Sequence, residues 1–330
     1  MAGASARVIY LSGTTGEVVQ ETTLAERSWN LAGAVIHWWY LPWLRRRWAI
    51  WDQTLWWVGA LSTGMALTGV WVCLGHLRCD GWSRCSGGPR ALHRTLGAIG
   101  GVAVVCWVVS GWLSMDHGRW FSDGKVSTLE RERAMGGRMT VRDLVESSGV
   151  LSQMTAEGTV KELRLTKMAG TLYVVVRESP RHQSVLGLTH REGQAREEFS
   201  DEAALSSVRA MVGEASPLTV RRSHGADRRR GWTLTREGLP PVLRVERQDP
   251  SHLWVDVDAR TGEILEILDP SRRAFHSLFD LLHRWDAPWF AGHEDIRRIM
   301  MAVWCGLSAG LAVSGFWIWA KRRSVSKVMR

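Results

Sequence analysis

Eleven histidines are spread along this 330-residue chain, and two of them recur in the same setting. His37 is followed by Trp39 and Pro42-Trp43. His283, 246 positions later, is followed by Trp285 and Pro288-Trp289. A neutral imidazole, available near pH 7, can ligate a metal through a ring nitrogen. The simpler role for such a pair is to anchor a helix to membrane headgroups, and both roles stay open. His93 and His117 flank the opposite ends of one apolar stretch, and His76 lies at the end of another. His182, His190, His224 and His252 read as ordinary domain residues, and His276 and His293 have no histidine counterpart in the first copy. The five cysteines form no disulfide framework. Cys73, Cys106 and Cys305 fall within or at the ends of apolar stretches, and the Cys79–Cys85 spacing is weak evidence for metal.

The two histidines belong to a longer repeat. At the same offset TGEVV at 15–19 matches TGEIL at 261–265, Arg27 matches Arg273, and ALTGVW at 66–71 matches AVSGFW at 312–317. No gap is needed from Thr15 to Trp71, and about a quarter of those positions are identical. The pattern is that of a duplicated unit: hairpin, interfacial helix, histidine, span. In the second copy Phe275, Leu278, Leu282 and Trp285 recur at helical spacing, which gives a helix an apolar face to lay on a bilayer. Pro42 and Pro288 are expected to end these helices.

Three windows free of Asp, Glu, Lys and Arg, at 55–75, 95–115 and 299–320, are long enough to cross about 30 Å of hydrocarbon as helices. Their glycines and serines suit close helix packing in lipid. The 20 tryptophans, against 3 tyrosines and 6 phenylalanines, favour membrane–water boundaries. The net charge of +9 is unevenly placed. The loop after the first span (76–94) carries +3 and the tail (321–330) carries +5, whereas 116–298 holds 28 basic and 28 acidic residues. By the positive-inside rule the loop and tail face the cytoplasm and the long segment faces outward. Arg45, Arg46 and Arg47 oppose this assignment. Because one span lies between the two copies, the first and third spans run in the same direction, so His37 and His283 share a membrane face. Residues 1–30 lack the apolar core and cleavage site of an export signal. Balanced outward charge argues against a nucleic-acid partner, and Arg228–Arg230 reads as a solvated loop tip.

The outward segment reads as two helix-plus-antiparallel-sheet modules, at about 140–200 and 201–268. Thr140 and Ser200 are the expected N-caps, Gly149 and Gly213 the stops. The strands expected are VKELRLTK, GTLYVVVRE and SVLGLTH in the first module. In the second they are LTVRRSH, PVLRVERQ, HLWVDVDA and GEILEIL, with a tight turn at 259–262. The whole chain is then a three-helix membrane bundle with α+β modules attached. Its order is a partial module and interfacial helix (1–54), span (55–76), loop (77–94), span (95–115), outward segment with interfacial helix 271–285 (116–298), span (299–320) and tail (321–330).

VDVDARTGEILEI at 255–267, LLHRWDAPW at 281–289, AVSGFWIWAKRR at 312–323 and ALHRTLGAIGG at 91–101 together resemble the PepSY-associated transmembrane family of bacterial inner-membrane proteins, over nearly the whole chain. Family members place a further span and a complete PepSY module ahead of the point where this chain opens, so the resemblance implies an N-terminally truncated version or a misassigned start. It also implies a link to iron acquisition. Some relatives look like b-type haem proteins that pass electrons across the membrane to ferric siderophores. On that model His37 and His283 form a bis-imidazole pair for haem iron, His117 can replace either, and His93 holds a second haem near the cytoplasm. One or two haem b groups, a ferric siderophore in the periplasm, membrane lipid, and an unidentified electron donor or quinol are the implied partners. The rival reading is a haem-free PepSY membrane protein that binds peptides or regulates a protease or transporter. No Walker or G-x-G-x-x-G motif follows a strand, so a nucleotide or flavin would sit on a partner.

Overall fold

The computed structural model describes residues 7–13, 18–80, 88–156, 160–179, 182–188, 196–213, 217–223, 241–290 and 293–328. Arg228–Arg230, His190, His224 and Cys85 lie outside these residues. The chain divides into two units: one holds the residues up to His117 and from Arg298 onward, the other runs from Gly118 to Arg297.

The first unit opens with the hairpin β1 (Val8–Leu11) and β2 (Val18–Thr22), then the short helices α1 (Leu24–Asn30) and α2 (Pro42–Arg45). Its bundle is made of α3 (Trp48–Asp80), α4 (Pro89–Leu113) and α9 (Glu294–Val328). These three helices are long and apolar enough to cross a membrane; α3 and α9 extend past both ends of their charge-free windows, and α4 begins before its window and ends at Leu113 within it. Small residues set their packing. A Cβ on Gly59 of α3 would stand 3.1 Å from Trp112 of α4, and one on Gly100 of α4 would stand 3.2 Å from Leu307 of α9. Gly310 of α9 admits Leu96 of α4 in the same way. The middle helix therefore lies against both others, at the positions where the sequence supplies no side chain.

The second unit contains α5 (Thr128–Met135), α6 (Val141–Ala156), the sheet β3 (Glu162–Met168), β4 (Thr171–Arg177), β5 (Gln183–Gly187), then α7 (Asp201–Val212) and the sheet β6 (Leu218–Ser223), β7 (Val242–Arg247), β8 (Trp254–Asp258), β9 (Ile264–Leu268), followed by α8 (Pro270–Phe279). All strand pairs are antiparallel, in the orders β3-β4-β5 and β6-β7-β8-β9. Every strand and helix expected between 140 and 268 is present. Ser200 caps α7 by accepting from the Ala203 N–H, but α6 runs past Gly149 to Ala156.

Two features differ from the sequence expectation. The modules are not separate: Val175, Val185 and Phe199 from the first and Val208, Leu243 and Val257 from the second belong to one buried cluster. In addition, α5 was not foreseen. It is fixed by a reciprocal box in which Ser127 accepts from the Glu130 N–H while the Glu130 carboxylate accepts from the Ser127 N–H, and it is closed by Gly136 in the left-handed region.

The 259–262 turn is the joint between the halves. Asp258 accepts from the Arg260 and Thr261 N–H groups, and Gly262 turns the chain at φ +71 against Met168 and Phe199. The Gln183 amide donates to the Arg260 carbonyl, and the Phe199 N–H donates to the Ala259 carbonyl. In the sheet core Arg244 on β7 donates two hydrogen bonds, 2.8 and 3.0 Å long, to Asp256 on β8, with both residues buried. Removing one partner leaves a buried charge alone, which costs about 3–5 kcal/mol. Asp256→Ala should therefore lower the unfolding free energy of the full chain by about that amount, measured by urea titration of β-sheet circular dichroism. A loss under 1 kcal/mol would mean that the pair is not desolvated.

Candidate functional site

The repeat read in the sequence is a repeat of backbone geometry. Adding 246 to β2 gives the bounds of β9, and adding it to the starts of β1, α1 and α3 gives the starts of β8, α8 and α9. The register break between Tyr10 and Leu11 recurs between Asp256 and Val257. Each hairpin is tied to its helix by an arginine: Arg27 donates to the Thr22 carbonyl at 3.0 Å and Arg273 to the Leu268 carbonyl at 2.9 Å.

Both recurring histidines lie at widened, π-helical turns, Leu31–Ile36 running into His37 and Asp280–Arg284 containing His283. Such turns arise where a helix is opened by one residue and are frequent at functional sites. Two residues past each histidine a tryptophan takes a positive φ, +50° at Trp39 and +52° at Trp285. This conformation is strained for a bulky side chain, so its appearance in both copies marks a selected geometry. The helical turns end just before these tryptophans, at Ile36 and at Arg284. Pro42 and Pro288 instead open the next turns, as the first residues of α2 and of the 3-10 turn Pro288–Phe290. The His37 ring meets Trp38 edge-on at 6.0 Å, and the His283 ring stacks on Phe279 at 4.6 Å.

His93 and His117 are about 30 Å apart along α4, so they cannot share one haem. At the first end His93 Nδ1 lies 2.9 Å from the buried Ser314 hydroxyl of α9, beside Gly315. A ring held through one nitrogen is oriented to use the other. At the second end His117 Nε2 lies 2.8 Å from Asp52 Oδ2, close enough for an ion pair but not aligned as a hydrogen bond. Its ring stacks on Trp56 at 5.3 Å, and Trp56 lies 5.6 Å from Trp112. Asp52 was not singled out from the sequence, although it is the only carboxylate between Glu26 and Asp80.

A charged cluster specific to the second copy was also missed. Glu266 on β9 accepts from Arg272 at 2.8 Å and lies 3.0 Å from Nε2 of the buried His276. The first copy has Gln20, Glu26 and Asn30 at these places. Burial pushes the Glu266 carboxyl up, but the hydrogen bonds and charges of His276 and Arg272 outweigh it and leave it below the ordinary range. One turn on, buried Asp280 pairs with Arg284 at 3.3 Å. Its burial, assisted by Asp286 and opposed by Arg284 and His276, pushes it up to about 6. Among the described residues no three histidines, cysteines or carboxylates gather as a metal site. No protein-family model, curated protein or solved structure matches the chain.

Asp280 gives a signed prediction. A carboxyl whose folded pKa is raised takes up a proton on folding, so it costs stability above about pH 6 and the cost disappears towards the unfolded pKa near 4. Asp280→Asn should therefore be more stable than the parent at pH 7.5, by on the order of 2–3 kcal/mol, and equal to it near pH 4. Paired thermal melts across that range test this, and a difference independent of pH contradicts it.

Proposed function

We propose that this protein is an inner-membrane electron carrier of the PepSY-associated transmembrane type, which uses b-type haem to reduce ferric siderophores in the periplasm. The observation that carries the reading is the duplicated turn, which presents His37 and His283 on the same strained backbone. We assign His37, His283 and His93 as haem-ligating histidines, each from its own local setting. When bound, haem would supply a one-electron carrier in a site whose potential is set by its ligands and burial.

The chain's own residues fit this assignment unequally. Ser314 orients His93 and occupies its Nδ1, leaving Nε2 as the ligating atom. His117 does not fit as a ligand through Nε2, because Asp52 already engages that atom. Trp56 and Trp112 beside it exclude water from the outward end of the bundle. Lowering ferric iron to ferrous weakens its hold on hard oxygen donors, which suits release from a siderophore.

The orientation in this proposal follows the basic loop at 77–94 and tail at 321–330, which stay in the cytoplasm. The contrary charge of 45–47 is partly accommodated by aromatic contacts. The Arg45 guanidinium lies 5.0, 4.2 and 4.8 Å from the Tyr40, Trp48 and Trp51 ring centroids, an arrangement suited to a membrane boundary.

Membranes enriched in the protein should give a pyridine haemochrome spectrum and dithionite-sharpened b-type bands. His37→Ala or His283→Ala should each remove roughly half of the haem if two groups are bound by the assigned ligands, and His93→Ala should remove the remainder. His117→Ala should leave the spectrum in place. A chain without haem would support the haem-free peptide-binding reading.

A further inference from the structure

The two copies differ in charge where each long helix begins. Residues 45–52 carry three arginines and one aspartate. At the same offset of 246, residues 291–298 carry Glu294 and Asp295 against Arg297 and Arg298. The second copy balances its charge locally, and the first does not. Asp52 gives no relief, because its carboxylate lies 2.8 Å from His117 Nε2. Arg45 is covered by the Tyr40, Trp48 and Trp51 rings. Arg46 and Arg47 are exposed, and no carboxylate among the described residues pairs with either. Cations just ahead of a helix oppose its dipole, so the stability of α3 does not account for them. Their level does suggest a partner. The charge-free window of α3 begins at Leu55, about 12 Å along the axis from Arg47. Trp43, Trp48 and Trp57 bracket the arginines in sequence and are 69%, 57% and 59% exposed, as tryptophans of a headgroup layer are.

We propose that Arg46 and Arg47 bind the phosphate of an anionic phospholipid such as phosphatidylglycerol. A phosphodiester carries one negative charge on two free oxygens, and guanidinium forks hold such a group through charge-assisted hydrogen bonds. Any bilayer that α3 crosses brings lipid phosphates to this depth, and arginine stems lie over apolar surface while their heads reach the phosphates. A soluble anion would gain nothing from the exposed indoles, whereas a lipid packs its glycerol and upper acyl chain against them and leaves the indole N–H groups among headgroups. The site also bears on the histidine of this copy. Buried Trp51 donates from Nε1 to the Trp38 carbonyl at 2.8 Å, so the segment that carries His37 is fastened to the same corner of the bundle as the arginines. A lipid held there keeps that segment at the membrane boundary. The inference needs α3 to cross a bilayer, and depends neither on haem nor on which membrane face the arginines occupy.

The test uses the full chain in nanodiscs of phosphatidylcholine, with and without phosphatidylglycerol. Arginines are modified with phenylglyoxal and read residue by residue by mass spectrometry. Arg46 and Arg47 should react in phosphatidylcholine and be protected several-fold once phosphatidylglycerol is present. Inorganic phosphate added to the phosphatidylcholine discs should not protect them. In a second readout, the backbone amides of 43–50 should exchange hydrogen more slowly as the phosphatidylglycerol fraction rises. The fraction giving half of that effect should increase about fivefold in either Arg46→Gln or Arg47→Gln, and the double variant should respond alike to both lipids. Equal modification with and without phosphatidylglycerol, or an unchanged response in the double variant, would overturn the proposal. Protection by inorganic phosphate alone would assign the arginines to a soluble anion, and protection in phosphatidylcholine alone would assign them to a protein segment; either result also overturns it.

Discussion

An arginine that folds back on the carbonyl ending a hairpin is the contact on which each repeat depends. Arg27 and Arg273 make it identically. A guanidinium is a fixed, permanently charged fork, so one bond to a backbone oxygen sets the angle at which the helix leaves the strand. That angle determines where the helix widens and where the tryptophan at positive φ turns the chain into the next segment. In the second copy Arg273 also lies over the Trp254 ring at 4.2 Å and donates to the His252 carbonyl.

The bundle meets a different constraint. In hydrocarbon no water is available to polar groups, so each must find a protein partner. The hydroxyls of Thr68 and Ser110 donate back to carbonyls in the preceding turn of their own helices. His93 is different, because its partner is on another helix. The contact is possible only because Gly315 leaves space beside Ser314. Beyond the other end of α4, His117 Nε2 lies 2.8 Å from Asp52 and its ring stacks on Trp56. The two imidazoles that bracket α4 thus have unlike settings, one in its first turns beside a neutral hydroxyl and one past its last residue beside a carboxylate.

Most of this architecture was legible in the sequence. Spans follow from missing charge, strands from alternation and capping residues, and the duplicated unit from a gapless offset that survives with about a quarter of its residues unchanged. What was not legible depends on contacts between residues far apart in the chain. Helix α5 has few apolar residues and is recognisable only by its Ser127–Glu130 box. The common core of the two halves of the second unit depends on the 259–262 turn reaching the first sheet, which periodicity does not report. Pro42 and Pro288 were expected to stop helices, but those helices already end at Ile36 and Arg284. Asp52 and Asp280 gain significance only from the histidines and arginines that tertiary packing brings beside them. The setting of His93 depends on a serine 221 positions away.

Duplication also creates a hazard during synthesis. The first hairpin is made before β7 emerges, and it offers β7 nearly the same edge that β8 will offer later. Aliphatic positions alone would let either hairpin capture the strand. Arg244 separates the two outcomes, since pairing with the earlier hairpin would strand a cation against Tyr10, while waiting for the later one supplies Asp256. The buried Arg244–Asp256 pair is thus the chemical difference between two otherwise look-alike hairpin edges.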